Sequence, residues 1–151
     1  MKMKHSKELL DFVCKEEGFR SKAYKPLPND RWTVGHGLTY IFGRAVNETD
    51  KITEHASIHE VDRILDKIDN SLNKKQIPDN VTQQEYDAVV SLVYNIGFSE
   101  FIVSNTAKLF YEGYRINHKF PLWNKSNGEV VAGLINRRNK EKELYEKGTY
   151  V

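Results

Sequence analysis

The sequence predicts an α+β protein whose strands are confined to one short region. Two patterns carry that expectation. Between Ala23 and Phe42, short β-type runs alternate with glycine, proline and Asn-Asp, the grammar of a small antiparallel sheet with tight turns. After Thr53 the apolar residues return at three-to-four spacing, which is helical. Runs of helix and strand kept apart in this way define the class.

The composition bounds the rest. The 151 residues are 39% hydrophobic, 29% charged and 11% aromatic, a balance that excludes disorder. The net charge of +2 is too small to argue for a nucleic-acid partner. One cysteine, Cys14, excludes an internal disulfide and a cysteine-built zinc site. The apolar stretch Leu9–Val13 is broken by Asp11, so neither a signal core nor a membrane span is expected. The expectation is a soluble, cytoplasmically made monomer that needs no membrane insertion, no cofactor and no metal.

In order along the chain, a first helix starts near Ser6, carries Leu9, Leu10, Phe12 and Val13, and stops at Gly18. Ala23-Tyr24, Trp32–Val34 and Leu38–Phe42 supply the strands. Val61, Ile64, Leu65, Ile68 and Leu72 form one face of a long helix. Thr82-Gln83-Gln84-Glu85 is a capping box that opens a helix closed by Asn95-Ile96-Gly97. Further helices are expected around Ala107–Tyr111 and Leu134–Lys147, with Gly148 as a stop.

Glu17 is the first candidate for chemistry. It shares a helical sector with Leu10 and Val13 and ends its helix, two conditions expected to raise its pKa toward that of a proton donor. A solvated surface glutamate is the alternative, and Glu16 competes for the same sector. In Trp32-Thr33-Val34-Gly35-His36-Gly37, alternating glycines let another chain or a ligand approach the backbone; a glycine-rich hairpin is the plainer reading. His55 and His59 have i,i+4 metal spacing, but Ala56 follows the first and no third ligand is evident. Arg137-Arg138-Asn139-Lys140, interleaved with Glu141, Glu143 and Glu146, reads as a solvated helix face with i,i+4 pairs.

Taken as an ordered set, these pieces resemble the phage-type lysozymes, the muramidases of glycoside hydrolase family 24. Glu17-Gly18, Ala23-Tyr24 and Thr33-Val34-Gly35-His36-Gly37 match the opening of that family. The match continues through Ile52-Thr53, Gln84, Asp87–Ser91, Asn95-Ile96-Gly97, Ser104-Asn105-Thr106, Trp123, Gly133–Arg138 and Glu141. The resemblance implies a lysozyme-like fold: a small β lobe at about 13–60, a connecting helix at 61–80, and a helical lobe of 81–151 plus the N-terminal helix. It implies cleavage of peptidoglycan between N-acetylmuramic acid and N-acetylglucosamine, in a cleft between the lobes. By position Glu17 would be the general acid and Thr33 would place the attacking water. Arg137 would orient the glutamate, and His36 and Gln84 would contact substrate or support the site.

The family's second carboxylate usually stands nine positions after the glutamate, where this chain has Pro26. The interval from Glu17 to Thr33 is sixteen, one longer than usual, and Asp30 is the only acid inside it. Glycoside hydrolysis ordinarily uses two carboxylates. Asp30 is therefore the candidate second acid, with a β-turn as its other explanation. The leading expectation is a bacteriolytic muramidase of a phage, held in the host cytoplasm until release or carried on the virion. A wall-binding module that kept the fold and lost the chemistry is the alternative, and a small nucleic-acid or protein adaptor a weaker third.

Overall fold

In the computed structural model, which describes residues 1–151, four of the six strands lie in the one region that the sequence predicts; a short hairpin at Lys125–Val130, set among the helices, departs from that expectation. The chain divides into two units, Leu10–Ile64 and Met1–Leu9 with Leu65–Val151.

In the unit Leu10–Ile64, helix α1 (Lys7–Glu17) ends at Gly18. That residue adopts φ +71 and donates its N–H to the Cys14 carbonyl at 3.0 Å. Strands β1 (Arg20–Tyr24) and β2 (Thr33–Gly35) pair antiparallel, with Arg20 opposite Gly35 and Tyr24 opposite Thr33. Strands β3 (Tyr40–Ile41) and β4 (Arg44–Ala45) form a second ladder. The sheet is thus two short ladders linked by a bridge between Val34 and Leu38. The turn between those residues contains Gly35 and Gly37, both at positive φ, which reverses the chain too tightly for a continuous strand. Phe12, Val13, Val34, Leu38, Ile41, Ile52 and Val61 fill the core of this unit. Helix α2 runs over Glu54–Leu72 and so begins earlier than the expected 61 and ends before 80. Thr53 explains the start, since its Oγ1 accepts the Ala56 N–H at 3.1 Å. At the end the Asn73 N–H makes a last helical bond to the Asp69 carbonyl at 3.0 Å, its side-chain amide donates to the same oxygen at 2.6 Å, and Lys74 turns back to the Ser71 carbonyl at 3.3 Å.

The unit of Met1–Leu9 and Leu65–Val151 is mainly helical. Helix α3 (Gln83–Ile96) opens with the predicted capping box: Thr82 Oγ1 accepts the Glu85 N–H at 3.2 Å, and Glu85 Oε1 accepts the Thr82 N–H at 2.9 Å. Two short helices, α4 (Phe98–Ile102) and α5 (Asn105–Tyr111), follow, then a 3-10 turn over Asn117–Leu122. A hairpin of β5 (Lys125–Ser126) and β6 (Glu129–Val130) leads into α6 (Ala132–Lys147), which Gly148 ends at φ +72. The core is Leu65, Leu72, Tyr86, Val89, Leu92, Phe101, Phe110, Phe120 and Leu144. Each such side chain contributes about 1.5–3 kcal/mol by leaving water. The N-terminal residues are clasped by two buried carboxylates. Asp69 accepts the His5 N–H and the Tyr86 hydroxyl and lies 2.6 Å from His5 Nδ1. Asp87 accepts the Ser6 N–H and hydroxyl and the Tyr150 hydroxyl.

Candidate active site

Glu17 is the last residue of α1 and is half-buried. The Val34–Leu38 turn meets it directly. Val34 and Leu38 exchange both backbone hydrogen bonds at 2.9 Å, which throws Gly37 outward at φ +73. A Cβ on Gly37 would lie 2.3 Å from Glu17 Oε1 and 3.2 Å from its Cδ. A side chain at that position would push the carboxylate aside. Gly35 makes the matching approach on the other side of His36: a Cβ there would lie 2.3 Å from Ser57 Oγ and 3.2 Å from Ile52 Cγ2. The space left by the alternating glycines is taken by the chain's own Glu17 and Ser57 rather than by another chain or a ligand.

His36 is buried between these glycines. Its N–H donates to Ser57 Oγ at 3.0 Å, and its Nδ1 lies 2.7 Å from the same oxygen. Burial lowers the pKa of this ring, while the charges of Glu54 and Glu17 oppose the shift. Phe19 packs on the imidazole with ring centroids 5.2 Å apart. Cys14, one turn before Glu17, lies in the same negative field. Burial first, and then Asp11, Glu17, Glu54 and Asp62, push its thiol up to about 12.

Thr33 is buried in β2, and its hydroxyl donates to the Arg31 carbonyl at 3.1 Å. With its proton committed, Oγ1 has only lone pairs to offer a further partner. Asp30 lies elsewhere in the rebuilt loop. It is exposed and closes a turn by donating its N–H to the Leu27 carbonyl at 3.0 Å. It lines a groove with Lys25, Arg31, Trp32 and Tyr40, and neither Glu17 nor Thr33 lines that groove.

Arg137 and Gln84 belong to the helical unit. Gln84 lies against the end of α6, where a Cβ on Gly148 would come within 2.7 Å of its Oε1. Arg137 stands three turns earlier on that helix and is buried, not solvated as its charged surroundings in sequence suggest. Arg138 and Glu141 are buried with it. Glu141 Oε2 accepts from Arg137 Nε at 3.3 Å, Arg138 Nη2 at 3.2 Å and the Ser91 hydroxyl, and Oε1 lies 2.7 Å from Arg138 Nε. Arg138 also donates to Asn95 Oδ1 at 3.0 Å. The reason for the burial is mutual pairing: the i,i+3 and i,i+4 spacings put both guanidiniums on Glu141, and Ser91 and Asn95 of α3 complete the set. Burial pushes the Glu141 carboxyl up, against the pull of Arg138 and then Arg137. Sequence reasoning missed Ser57 altogether and named Ser91 only within the Asp87–Ser91 match, with nothing local to announce Glu141 as its partner.

Metal-type ligands converge at His5, Asp66 and Asp69, whose ligand atoms lie within 4.8 Å of one another. The 2.6 Å spacing from His5 Nδ1 to Asp69 Oδ2 is that of a hydrogen bond and too short for two ligands of one ion.

The family described as Phage lysozyme matches residues 14–141. Among curated relatives, the endolysin of Bacillus phage PZA is 33% identical over 97% of this chain and 57% of its own length. The endolysin of Acyrthosiphon pisum secondary endosymbiont phage 1 is 35% identical over 93% of this chain and 97% of its own. The chain thus spans little more than half of the PZA relative, and 52% of the Bacillus phage B103 endolysin. Among solved structures, an endolysin from Escherichia coli O157:H7 phage FAHEc1 superposes with a TM-score of 0.83 at 27% identity, covering 100% of this chain and 98% of that one. A mutant of P22 lysozyme does so with 0.79 at 28%, covering 96% and 99%.

Proposed function

Because the chain belongs to the phage lysozyme family, we propose that it is an endolysin muramidase. It hydrolyses the β-1,4 bond between N-acetylmuramic acid and N-acetylglucosamine in bacterial peptidoglycan and so lyses the host cell. The observation that carries this reading is the approach of the Glu17 carboxylate to the Gly37 backbone, which joins the end of one helix to a turn twenty residues away.

In the proposed reaction Glu17, protonated, gives its proton to the glycosidic oxygen as the C1–O bond breaks. Positive charge develops at C1 and the ring oxygen, and water attacks C1. Thr33 Oγ1 accepts a hydrogen bond from that water, because its own proton is held by the Arg31 carbonyl. The water's second proton passes to solvent or back to Glu17. Asp30, exposed on its turn, is assigned to the groove it lines, and catalysis rests on Glu17, Thr33 and an ordered water. His36 supports the turn by its two bonds to Ser57, and Arg137 is a supporting residue fixed by Glu141. Gln84 supports the fold of the helical unit. The protein acts as a monomer without cofactor or nucleic acid, on the host wall at the end of infection. No helix is long and apolar enough to cross a membrane.

Product analysis tests this reading. Purified peptidoglycan is digested and then reduced with borohydride. New muramitol ends and falling turbidity are the expected result. New glucosaminitol ends, or intact peptidoglycan that merely retains the protein, would contradict it; the second outcome would favour a wall-binding module without chemistry.

A further inference from the structure

The β-rich unit carries a second surface that the reaction does not use. It is a groove of about 470 Å³ lined by Lys25, Asp30, Arg31, Trp32, Tyr40 and Val46, among others, and no residue assigned to chemistry lines it. One wall is the loop whose Leu27–Asp30 turn is closed by a backbone hydrogen bond and flanked by Pro26 and Pro28. The other is the β3–β4 hairpin, whose two turn residues, Phe42 and Gly43, both have positive φ, 51 and 80. That conformation suits glycine and disfavours phenylalanine. It is held by Glu60, a buried carboxylate whose Oε1 accepts the Phe42 N–H at 2.6 Å. Val46 donates to the Thr39 carbonyl at 2.9 Å and closes the base of the hairpin. Both walls are therefore preorganised.

The lining has two chemical characters. Tyr40 is 54% exposed, and the half-buried Trp32 adds an indole beside it, with Lys25 Nζ 5.1 Å from the ring centroid. Flat aromatic faces beside polar groups suit sugar rings, whose C–H faces stack while their hydroxyls bond at the rim. The charge leans positive: Lys25 and Arg31 line the groove against the single acid Asp30. Arg44 is taken up by Asp50, whereas Lys25 and Arg31 form no ion pair. A neutral glycan would leave those two cations without a function, and a glycan bearing carboxylates would match them.

We propose that this groove is an auxiliary subsite for a carboxylate-bearing glycan, namely a stretch of the wall strand away from the bond being cut. The proposal rests on the peptidoglycan reading above and adds a place where the strand is gripped. Tyr40 stacks on a sugar ring, and Lys25, held over the Trp32 indole, pairs together with Arg31 with lactyl or stem-peptide carboxylates. The grip holds the enzyme on an insoluble substrate between cuts.

The test is co-sedimentation of the protein with peptidoglycan sacculi at low temperature, with cleavage scored in parallel. Lys25→Ala combined with Tyr40→Ala alters two exposed side chains, and an unchanged melting temperature confirms that the variant folds. The expected result is a loss of about tenfold in affinity for sacculi, equivalent to about 1.4 kcal/mol. Hydrolysis of short soluble muramyl oligosaccharides should be unchanged. Wild-type protein should bind sacculi with amidated carboxylates, and uncharged chitin, as weakly as the double variant binds untreated sacculi. Equal binding by variant and wild type overturns the subsite whether or not the sacculi are cleaved. Equal wild-type binding to chitin and sacculi overturns its anionic character. Binding that depends on Lys25 and Tyr40 in a wild type unable to cut sacculi overturns the muramidase reading and leaves the groove standing.

Discussion

The turn at Gly35–Gly37 and the cluster around Glu141 hold carboxylates by opposite means. At the turn, two missing side chains make room: Gly37 admits Glu17 and Gly35 admits Ser57, and Glu17 stays half-buried. In the cluster, Glu141 is wholly buried and is held by two guanidiniums and a hydroxyl. A carboxylate walled off from solvent between two guanidiniums is fixed in place and has no route to hand a proton to a substrate. One placed by backbone shape can stay accessible to a substrate. The contrast separates a carboxylate suited to chemistry from one suited to architecture.

Deleting the architectural carboxylate should give the largest loss of stability. Glu141→Ala leaves Arg137 and Arg138 buried without their shared anion, and breaking such a pair costs about 3–5 kcal/mol. Chemical denaturation would measure it; a loss below about 1 kcal/mol would show that the cluster is not the structural device described.

Gly37→Ala should cost less stability and more activity. Its Cβ would strain a φ of +73, worth about 1–3 kcal/mol, and would displace Glu17 Oε1, which is the flexible end of its side chain. Specific activity on peptidoglycan should fall by a larger factor than that of Gly43→Ala. Gly43 has a similar φ of +80, but its Cβ would meet open space. Equal activity losses in the two variants would reduce the Gly37 effect to backbone strain.

A smaller effect concerns pH. Burial lowers the His36 pKa, so the folded state prefers the neutral ring. The unfolded chain then binds the proton first, and the stability contributed by the neutral ring is complete above about pH 6.5 and declines below it. Wild type should lose melting temperature between about pH 7 and 5.5 more steeply than His36→Gln, and parallel profiles would contradict the assignment. The smallest effect is expected at Asp30. Asp30→Asn keeps a turn-forming side chain and should leave hydrolysis of short soluble muramyl oligosaccharides close to unchanged, whereas a loss rivalling that of a Glu17 substitution would make Asp30 the second catalytic carboxylate.

Much of this was legible in the sequence because the signals are local. Gly18, Gly97 and Gly148 end helices, and Thr82 with Glu85 starts one, all within a turn of the element they bound. Glu17 and the Thr33–Gly37 stretch were readable as separate motifs, and the family resemblance put them in one site. The pairing of Gly37 with Glu17 and of Gly35 with Ser57 was not readable, because it depends on packing between segments distant in sequence. The burial of Arg137, Arg138 and Glu141 was hidden for the same reason: their spacing is that of a solvated face, and only Ser91 and Asn95 on α3 turn it inward. The β5–β6 hairpin did have a local signal, Asn127-Gly128 at the turn, both at positive φ.

The central claim is that Glu17, placed by the glycine turn, donates the proton that breaks the glycosidic bond. Glu17→Gln tests it most directly, since the amide keeps the shape and loses the acid. On purified peptidoglycan the release of reducing ends should fall by about 10²–10⁴-fold while the melting temperature stays near that of wild type. Release at the wild-type rate by the folded variant would contradict the account.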